Sequence, residues 1–183
     1  SGEMVIQPDV EFAQSMYNLA AANDYAPAQY RLADWMVREK PTHLSVEEHQ
    51  KYHATIKDLL TKASGAGIEQ AVVPLAFFNA MDNDKAKQAQ TFALARRAAD
   101  NGNMKAALLV GLMYDRGLGV PENHSDAMYW YEEAKNNPIS AFIMGTYAAQ
   151  GQGIKKDSQI SHQLLQEAAD AGFSYANLNL SVL

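Results

Sequence analysis

The side chains most able to do chemistry in this chain are its five histidines. His49 and His53 stand four residues apart, so a helix carries both imidazoles on one face, with His43 just upstream. Two such nitrogens and one further ligand make a metal site, the basis for a metal or small-molecule sensor. The order Glu48-His49-x-x-x-His53 lacks the Glu placement of the His-Glu-x-x-His zinc-protease pattern, and the same spacing suits solvated residues on a polar helix start. His124 beside Ser125, and His162 beside Ser161, bring base and hydroxyl together only in sequence. Neighbours on a helix point apart, and no Gly-x-Ser-x-Gly elbow accompanies them. Both histidines read as exposed residues near helix starts. Gly117-x-Gly119 and Gly151-x-Gly153 follow helical patterns and lack Gly-Lys-Ser/Thr, so they read as turns and not as phosphate loops. Asp82-Asn83-Asp84 is too short for a twelve-residue calcium loop and reads as a turn with a helix cap. With no cysteine there is no thiolate ligand, disulfide or thiol nucleophile. No catalytic residue, metal ligand or cofactor is assigned.

The 183 residues suffice for one domain, and 48% hydrophobic against 20% charged residues describes a folded chain. Asp and Glu (21) outnumber Lys and Arg (15), giving a net charge of −6, the wrong sign for a nucleic-acid binder that must displace counterions from phosphates. Arg96-Arg97 and Lys155-Lys156 are isolated basic pairs. No apolar run reaches the ~18–20 residues of a membrane-spanning helix. The opening Ser1-Gly2-Glu3-Met4 is too polar to read as a signal segment.

What must position any functional side chain is a repeat. Ala63-Ser64-Gly65-Ala66-Gly67, Ala98-Ala99-Asp100-Asn101-Gly102, Ala134-Lys135-Asn136-Asn137-Pro138 and Ala168-Ala169-Asp170-Ala171-Gly172 begin 35, 36 and 34 residues apart; Ala20-Ala21-Ala22-Asn23-Asp24 begins 43 residues before the first. A small residue returns after each, at Ala28, Ala71, Ala106, Ala141 and Ala176. Each unit reads as two helices joined by a turn. Residues 106–114 run into Gly117-Leu118-Gly119-Val120-Pro121, Asn123 caps a second helix over 125–136, and the plan recurs as 139–149, Gly151 to Ile154, cap Asp157 and 160–171. Earlier pairs are 26–40 with 45–64, joined by an enlarged loop around Pro41, Thr42 and His43, and 72–81 with 86–100. The expected organisation is a single domain: a leading helix 9–22, repeats 26–66, 67–101, 102–137 and 138–171, and a trailing half-repeat 173–183. Such units bury their apolar faces only by stacking. Met16, Leu59, Leu94, Trp130 and Leu164, four before each repeated Ala, are the expected core stripe, and Leu94→Ala is expected to cost about 2–5 kcal/mol.

Gly111-x-x-Tyr114-x-x-Gly117-x-Gly119-Val120, with Asn123, Asp126-Ala127, Trp130 and Ala134, resembles the Sel1-like repeat, a relative of the tetratricopeptide repeat. The unit at Gly145 matches through Gly151, Gly153, Ile154, Asp157 and Ala168-Ala169, but carries Tyr147 one position early, with Ala148 in the aromatic's place. The resemblance implies an all-α, right-handed α-solenoid of helix–turn–helix repeats. It also implies an adaptor or scaffold that grips a protein or peptide partner on the concave surface formed by the first helices, and, on family habit alone, an exported, periplasmic setting in a bacterium. Aligning the repeats puts Tyr30, Val73, Leu108, Phe142 and Leu178 in one concave row and Asp34, Phe77, Leu112, Thr146 and Val182 in the next, rimmed by Asp34, Arg38, Lys105, Asp115, Arg116 and Gln150. The partner-contact set is therefore Tyr30, Asp34, Val73, Phe77, Leu108, Leu112, Arg116, Phe142 and Thr146; the alternative is that stacked helices bury these side chains as core. A rival reading from the same resemblance is a hydrolase-like enzyme. The apolar tail Leu178, Leu180, Val182 and Leu183 has no second helix over it, so that end either continues or meets a partner or another copy of the chain.

Overall fold

The computed structural model describes residues 10–80 and 84–180, which form helices and no strand. Contacts gather into two compact units, Ser1–Phe78 and Asn79–Leu183.

The first unit holds α1 (Val10–Ala22), α2 (Ala26–Arg38), α3 (Val46–Gly65), a 3-10 turn (Glu69–Ala71) and most of α4 (Val72–Ala80). α2 packs against both α1 and α3. Leu32, Ala33, Ile56, Leu60, Ala63, Ala71 and Leu75 are the heart of its core, with Tyr30, Trp35 and Tyr52 closing the margin. The second unit holds α5 (Lys85–Asp100), α6 (Met104–Arg116), α7 (His124–Glu133), α8 (Pro138–Gln150), α9 (Ser158–Asp170) and α10 (Tyr175–Leu180), each packed against the next. Its core alternates Ala127, Tyr131, Met144 and Tyr147 with Ala141, Leu165, Ala168 and Ala176.

The alanine period has a structural cause. At four of its five copies the first Ala carbonyl accepts a backbone bond from the residue five later, Ala20 from Tyr25, Ala63 from Ile68, Ala98 from Asn103 and Ala168 from Phe173. The residue before each donor, Asp24, Gly67, Gly102 or Gly172, has positive φ. This is the left-handed stop of a Schellman-type helix end. The returning small residues, Ala28, Ala71, Ala106, Ala141 and Ala176, are all buried, because the next helix starts against the one just finished.

The start signals hold as well: Asn123 accepts from the N–H groups of Ser125 and Asp126, Asp157 from Gln159 and Ile160, and Asp84 from Ala86 and Lys87. Several expectations change. The connection at Pro41 is not enlarged, since α2 stops at Arg38 and the seven residues 39–45 match the seven of 117–123 and of 151–157. The extra length lies in α3, which runs 20 residues against 13 for α9. The core stripe also thins: Leu59 and Trp130 are buried, Leu94 and Leu164 half-buried, and Met16 is 48% exposed. Among the described residues α1 packs on α2, and Met16 borders an open cleft with Phe12, Tyr17 and Pro27 and is not enclosed between helices. The half-buried Leu94 surrenders less area on truncation, and Leu94→Ala falls below the range expected of a core leucine. Asp9, Met81, Asp82, Asn83, Val182 and Leu183 lie outside the described residues.

Candidate functional site

Within the second unit, glycine lets helices meet both inside a repeat and between consecutive repeats. A Cβ on Gly111 of α6 would come within 2.5 Å of the Tyr131 ring on α7, and one on Gly145 of α8 within 2.9 Å of Leu165 on α9, so the bare backbone is what lets each helix pair close. Gly119 (φ 72°) and Gly153 (φ 69°) sit in the connections that follow α6 and α8. Their Cβ positions fall 2.4 Å from the Gln88 carbonyl and 2.7 Å from the His124 carbonyl, so each connection seats on the first turn of the preceding repeat's second helix.

The nine expected contact residues divide by exposure. In the first unit Phe77 is 72% exposed, Tyr30 and Val73 are half-buried, and Asp34 pairs with Arg38 at 3.1 Å. In the second unit Leu108 and Leu112 lean, half-buried, on the Ala127–Tyr131–Met144–Tyr147 cluster. Phe142 stacks on Phe173 with centroids 5.0 Å apart, Thr146 accepts from the Asn179 amide at 3.2 Å, and Arg116 is exposed. The first row thus serves partly as packing. Leu178, in the same row, is 66% exposed. Of the histidines, His49 and His53 stack edge to face at 6.2 Å and His53 meets Phe78 at 5.7 Å. Among the described residues no three His, Cys, Asp or Glu side chains gather as a metal site.

His124 departs from its expected exposure. Its Nδ1 lies 2.9 Å from Asp115 Oδ1, and because a carboxylate only accepts, Nδ1 carries the proton. Nε2 lies 3.0 Å from the Gln152 amide nitrogen and 3.3 Å from Glu122 Oε1, so the ring faces both carboxylates. The Tyr147 hydroxyl donates to the same Asp115 oxygen, and its ring stands edge to face with His124 (5.9 Å) and with Tyr131 (6.2 Å). Burial first, then the hydrogen bond to Asp115, pushes the Tyr147 phenol well above its usual pKa. Tyr131, wholly buried, is pushed up by burial and then by the Asp115 charge, and its hydroxyl has no hydrogen-bond partner among the described residues. This joint of Asp115, Glu122, His124, Tyr147 and Gln152 draws on α6, α7, α8 and two connections. The early tyrosine at 147, a departure from the repeat pattern, is what reaches Asp115.

The Sel1 repeat model matches residues 1–25, 26–39, 84–103, 105–137 and 138–173, more than half of the chain. The chain belongs to the Sel1 repeat family. A Sel1 repeat protein from Oxalobacter formigenes shares the fold at TM-score 0.76 and 21% identity over 93% of this chain and 66% of its own. The c5321 protective antigen present in uropathogenic Escherichia coli strains, which displays an SLR fold, gives TM-score 0.62 and 21% identity over 91% of this chain and 43% of its own. The chain thus spans less than two thirds of either protein's length. These likenesses settle the fold class as an all-α solenoid of Sel1 repeats. Sel1 repeat proteins generally act in protein–protein interaction, and theirs is a scaffold family and not an enzymatic one. Among the described residues no helix is long and apolar enough to cross a membrane. The longest unmatched stretch, residues 40–83, holds the long α3 and α4, where the two-glycine connection is missing.

Proposed function

We propose that this Sel1 repeat chain holds a protein or peptide partner on the exposed side of its first helices: Tyr30, Asp34, Val73 and Phe77 in the first unit, and Leu108, Leu112, Arg116, Phe142 and Thr146 in the second. The observation that carries the reading is Phe77, a large apolar side chain 72% exposed on a first helix that bears no charge. Isolated exposed leucines are ordinary; an open phenylalanine beside a half-buried apolar row is a place for an apolar residue of a partner.

The test is Phe77→Asp. An exposed substitution of this kind changes stability by about 0.5 kcal/mol or less, so the melting curve stays put while proteins retained by the wild-type chain from a lysate of its source organism are lost. Retention of every such protein by the variant sinks the proposal. Leu112→Arg is a poorer probe, since Leu112 leans, half-buried, on the cluster of Ala127, Tyr131, Met144 and Tyr147 and its loss lowers stability along with any binding.

A further inference from the structure

α1 is built as a second helix. Ala20 and the positive-φ stop at Asp24 end it, as Ala63 with Gly67, Ala98 with Gly102 and Ala168 with Gly172 end α3, α5 and α9. Three and seven residues before that alanine, on one helix face, stand Tyr17 and Ala13. The same two places hold Leu60 and Ile56 in α3, Ala95 and Thr91 in α5, Tyr131 and Ala127 in α7, and Leu165 and Ser161 in α9. Those residues are at most 2% exposed, whereas Tyr17 is 42% exposed and Ala13 is exposed as well. The difference is a neighbour. Tyr131 and Leu165 lie under Gly111 and Gly145, the bare-backbone positions of their own first helices. Among the described residues α1 has no first helix of its own. An apolar cleft of about 600 Å³ stands there instead, walled by Phe12, Ala13, Met16 and Tyr17 and, where α2 begins, by Tyr25 and Pro27. A first helix elsewhere sits between the same two walls: Leu108 and Leu112 of α6 lean on a cluster shared by Tyr131 of α7 and Met144 of α8.

α10 has the opposite deficit. It is built as a first helix, with Ala176 buried against the helix just finished, like Ala28, Ala71 and Ala106. One residue further on, Gln29, Val72, Ala107 and Ala141 are 2–4% exposed, and Ala141 packs with Leu165 and Ala168 of its own second helix. Asn177, in that place of α10, is exposed, and so is Leu178 beside it. Among the described residues no second helix lies against α10.

We infer that α10 of one copy seats in the α1 cleft of a second copy, so that two half-repeats close on each other as α6 closes on α7. Each face is open toward the kind of helix that the other supplies, which favours a second copy over an unrelated segment. α10 carries no charged side chain, so nothing ionised enters the apolar cleft, and Arg31 at its edge meets no like charge. The contact extends the pairing already made within the chain, the way a repeat array accumulates stability. It is heterologous, so each copy keeps one open face after pairing. Phe77 lies in neither face, and the inference stands apart from the partner reading above.

The experiment follows the mass of the full chain by sedimentation velocity from micromolar to millimolar concentration. The wild type is expected to grow with concentration and to pass two copies. Ala13→Arg fills the cleft from an exposed position without removing a packed side chain, and Leu178→Arg sets a charge on the exposed side of α10. Each variant alone is expected to stay a monomer. An equimolar mixture is expected to form a dimer and stop there, since each pair holds one intact cleft and one intact α10. That recovery also shows that both variants fold. Met16→Glu and Asn177→Arg repeat the mixing at neighbouring positions. A wild type that stays single at millimolar concentration overturns the inference and leaves the cleft to another occupant. So does a mixture of folded variants that stays monomeric, or a Leu178→Arg chain that still pairs, which would mean that α1 meets α1. Self-association lost in Phe77→Asp would move the contact away from both faces, while loss of a lysate protein alone in that variant bears only on the partner reading.

Discussion

Three connections of seven residues reverse the chain between paired helices, and the two in the second unit differ from the one in the first at a single carbonyl. The third residue from the end of α6, α8 and α2 (Tyr114, Ala148 and Met36) has no partner within its helix and needs a donor. In the second unit the donor is the backbone N–H of the next helix's cap: Asn123 to Tyr114 and Asp157 to Ala148, 2.9 and 2.8 Å. In the first unit the Tyr52 hydroxyl fills the role, donating to the Met36 carbonyl at 2.6 Å. The cap N–H of Ser45, freed from it, donates instead to the Glu48 carboxylate at 2.8 Å. A backbone-to-backbone closure needs a tight path, and the two left-handed glycines of 117–119 and 151–153 supply it. A side-chain closure reaches further and dispenses with them, but it needs the longer α3 to bring Tyr52 back over α2. The same backbone demand is met by conformational freedom in one unit and by side-chain reach in the other.

The comparison breaks first, and with the largest effect, at Gly119. Gly119→Ala puts a Cβ at φ 72° and within 2.4 Å of the Gln88 carbonyl, so left-handed strain and backbone overlap add, and the cost is about 3 kcal/mol or more. Gly102→Ala is the control: φ is 87° but nothing lies within 4 Å of the new Cβ, so only the conformational part, about 1 kcal/mol, applies. Urea denaturation followed by helix signal separates the two. Equal costs would show that the connection does not rest on α5.

Tyr52→Phe comes next. It removes the sole donor that replaces the missing cap bond in the first unit, and a half-buried carbonyl left to compete for water costs about 1–2 kcal/mol. A variant as stable as the wild type would mean that the Met36 carbonyl is satisfied otherwise and that the two kinds of closure are not equivalent.

How much of this could be read from the sequence follows from how local each constraint is. The alanines and their positive-φ stops declare the period because a Schellman end and a small-residue crossing are both fixed within ten residues of chain. Caps such as Asn123 and Asp157 are legible for the same reason. The Pro41 connection misleads because Pro, Thr and His resemble loop residues wherever they stand, while the added residues belong to α3, whose polar face carries no mark of excess length. Met16 misleads because the stripe shows which side of a helix is apolar but not whether another helix covers it. The joint at His124 is the largest omission. Asp115, His124, Tyr147 and Gln152 come together only through stacking, and no spacing on one helix announces them. The signal that could have found them is a break in period, the contrast with Ala149 and Ser158 one repeat on and with Met113 and Leu118 one repeat back, together with Tyr147 standing one position early.

The smallest expected effect sharpens the comparison at the other end of the first unit's connection. Ser45 and Glu48 form a reciprocal box: the Glu48 N–H donates to Ser45 Oγ, while the Ser45 N–H and hydroxyl both donate to the Glu48 carboxylate. Those bonds, the backbone one first and the hydroxyl one second, hold the Glu48 carboxyl below its ordinary value of 4.5. A depressed carboxyl stabilises the folded state above its unfolded pKa and ceases to do so as pH falls through the folded one. Ser45→Ala removes the hydroxyl and keeps the backbone bond, so at neutral pH it lowers Tm by about 2–4 °C. On acidification below 4.5 the wild type loses its hydroxyl-to-carboxylate bond too, while the Glu48 N–H bond to Ser45 Oγ survives protonation. The gap between the two proteins therefore narrows toward acid without closing. Asn103→Ala, whose cap N–H is tied to the Ala98 carbonyl and whose side chain accepts from the N–H groups of Lys105 and Ala106, shows a gap with no such acid dependence. Thermal melts of both variants between pH 3 and 7 decide the matter, and a Ser45→Ala gap that widens toward acid contradicts the assignment of Glu48 as the acceptor that replaces the backbone closure.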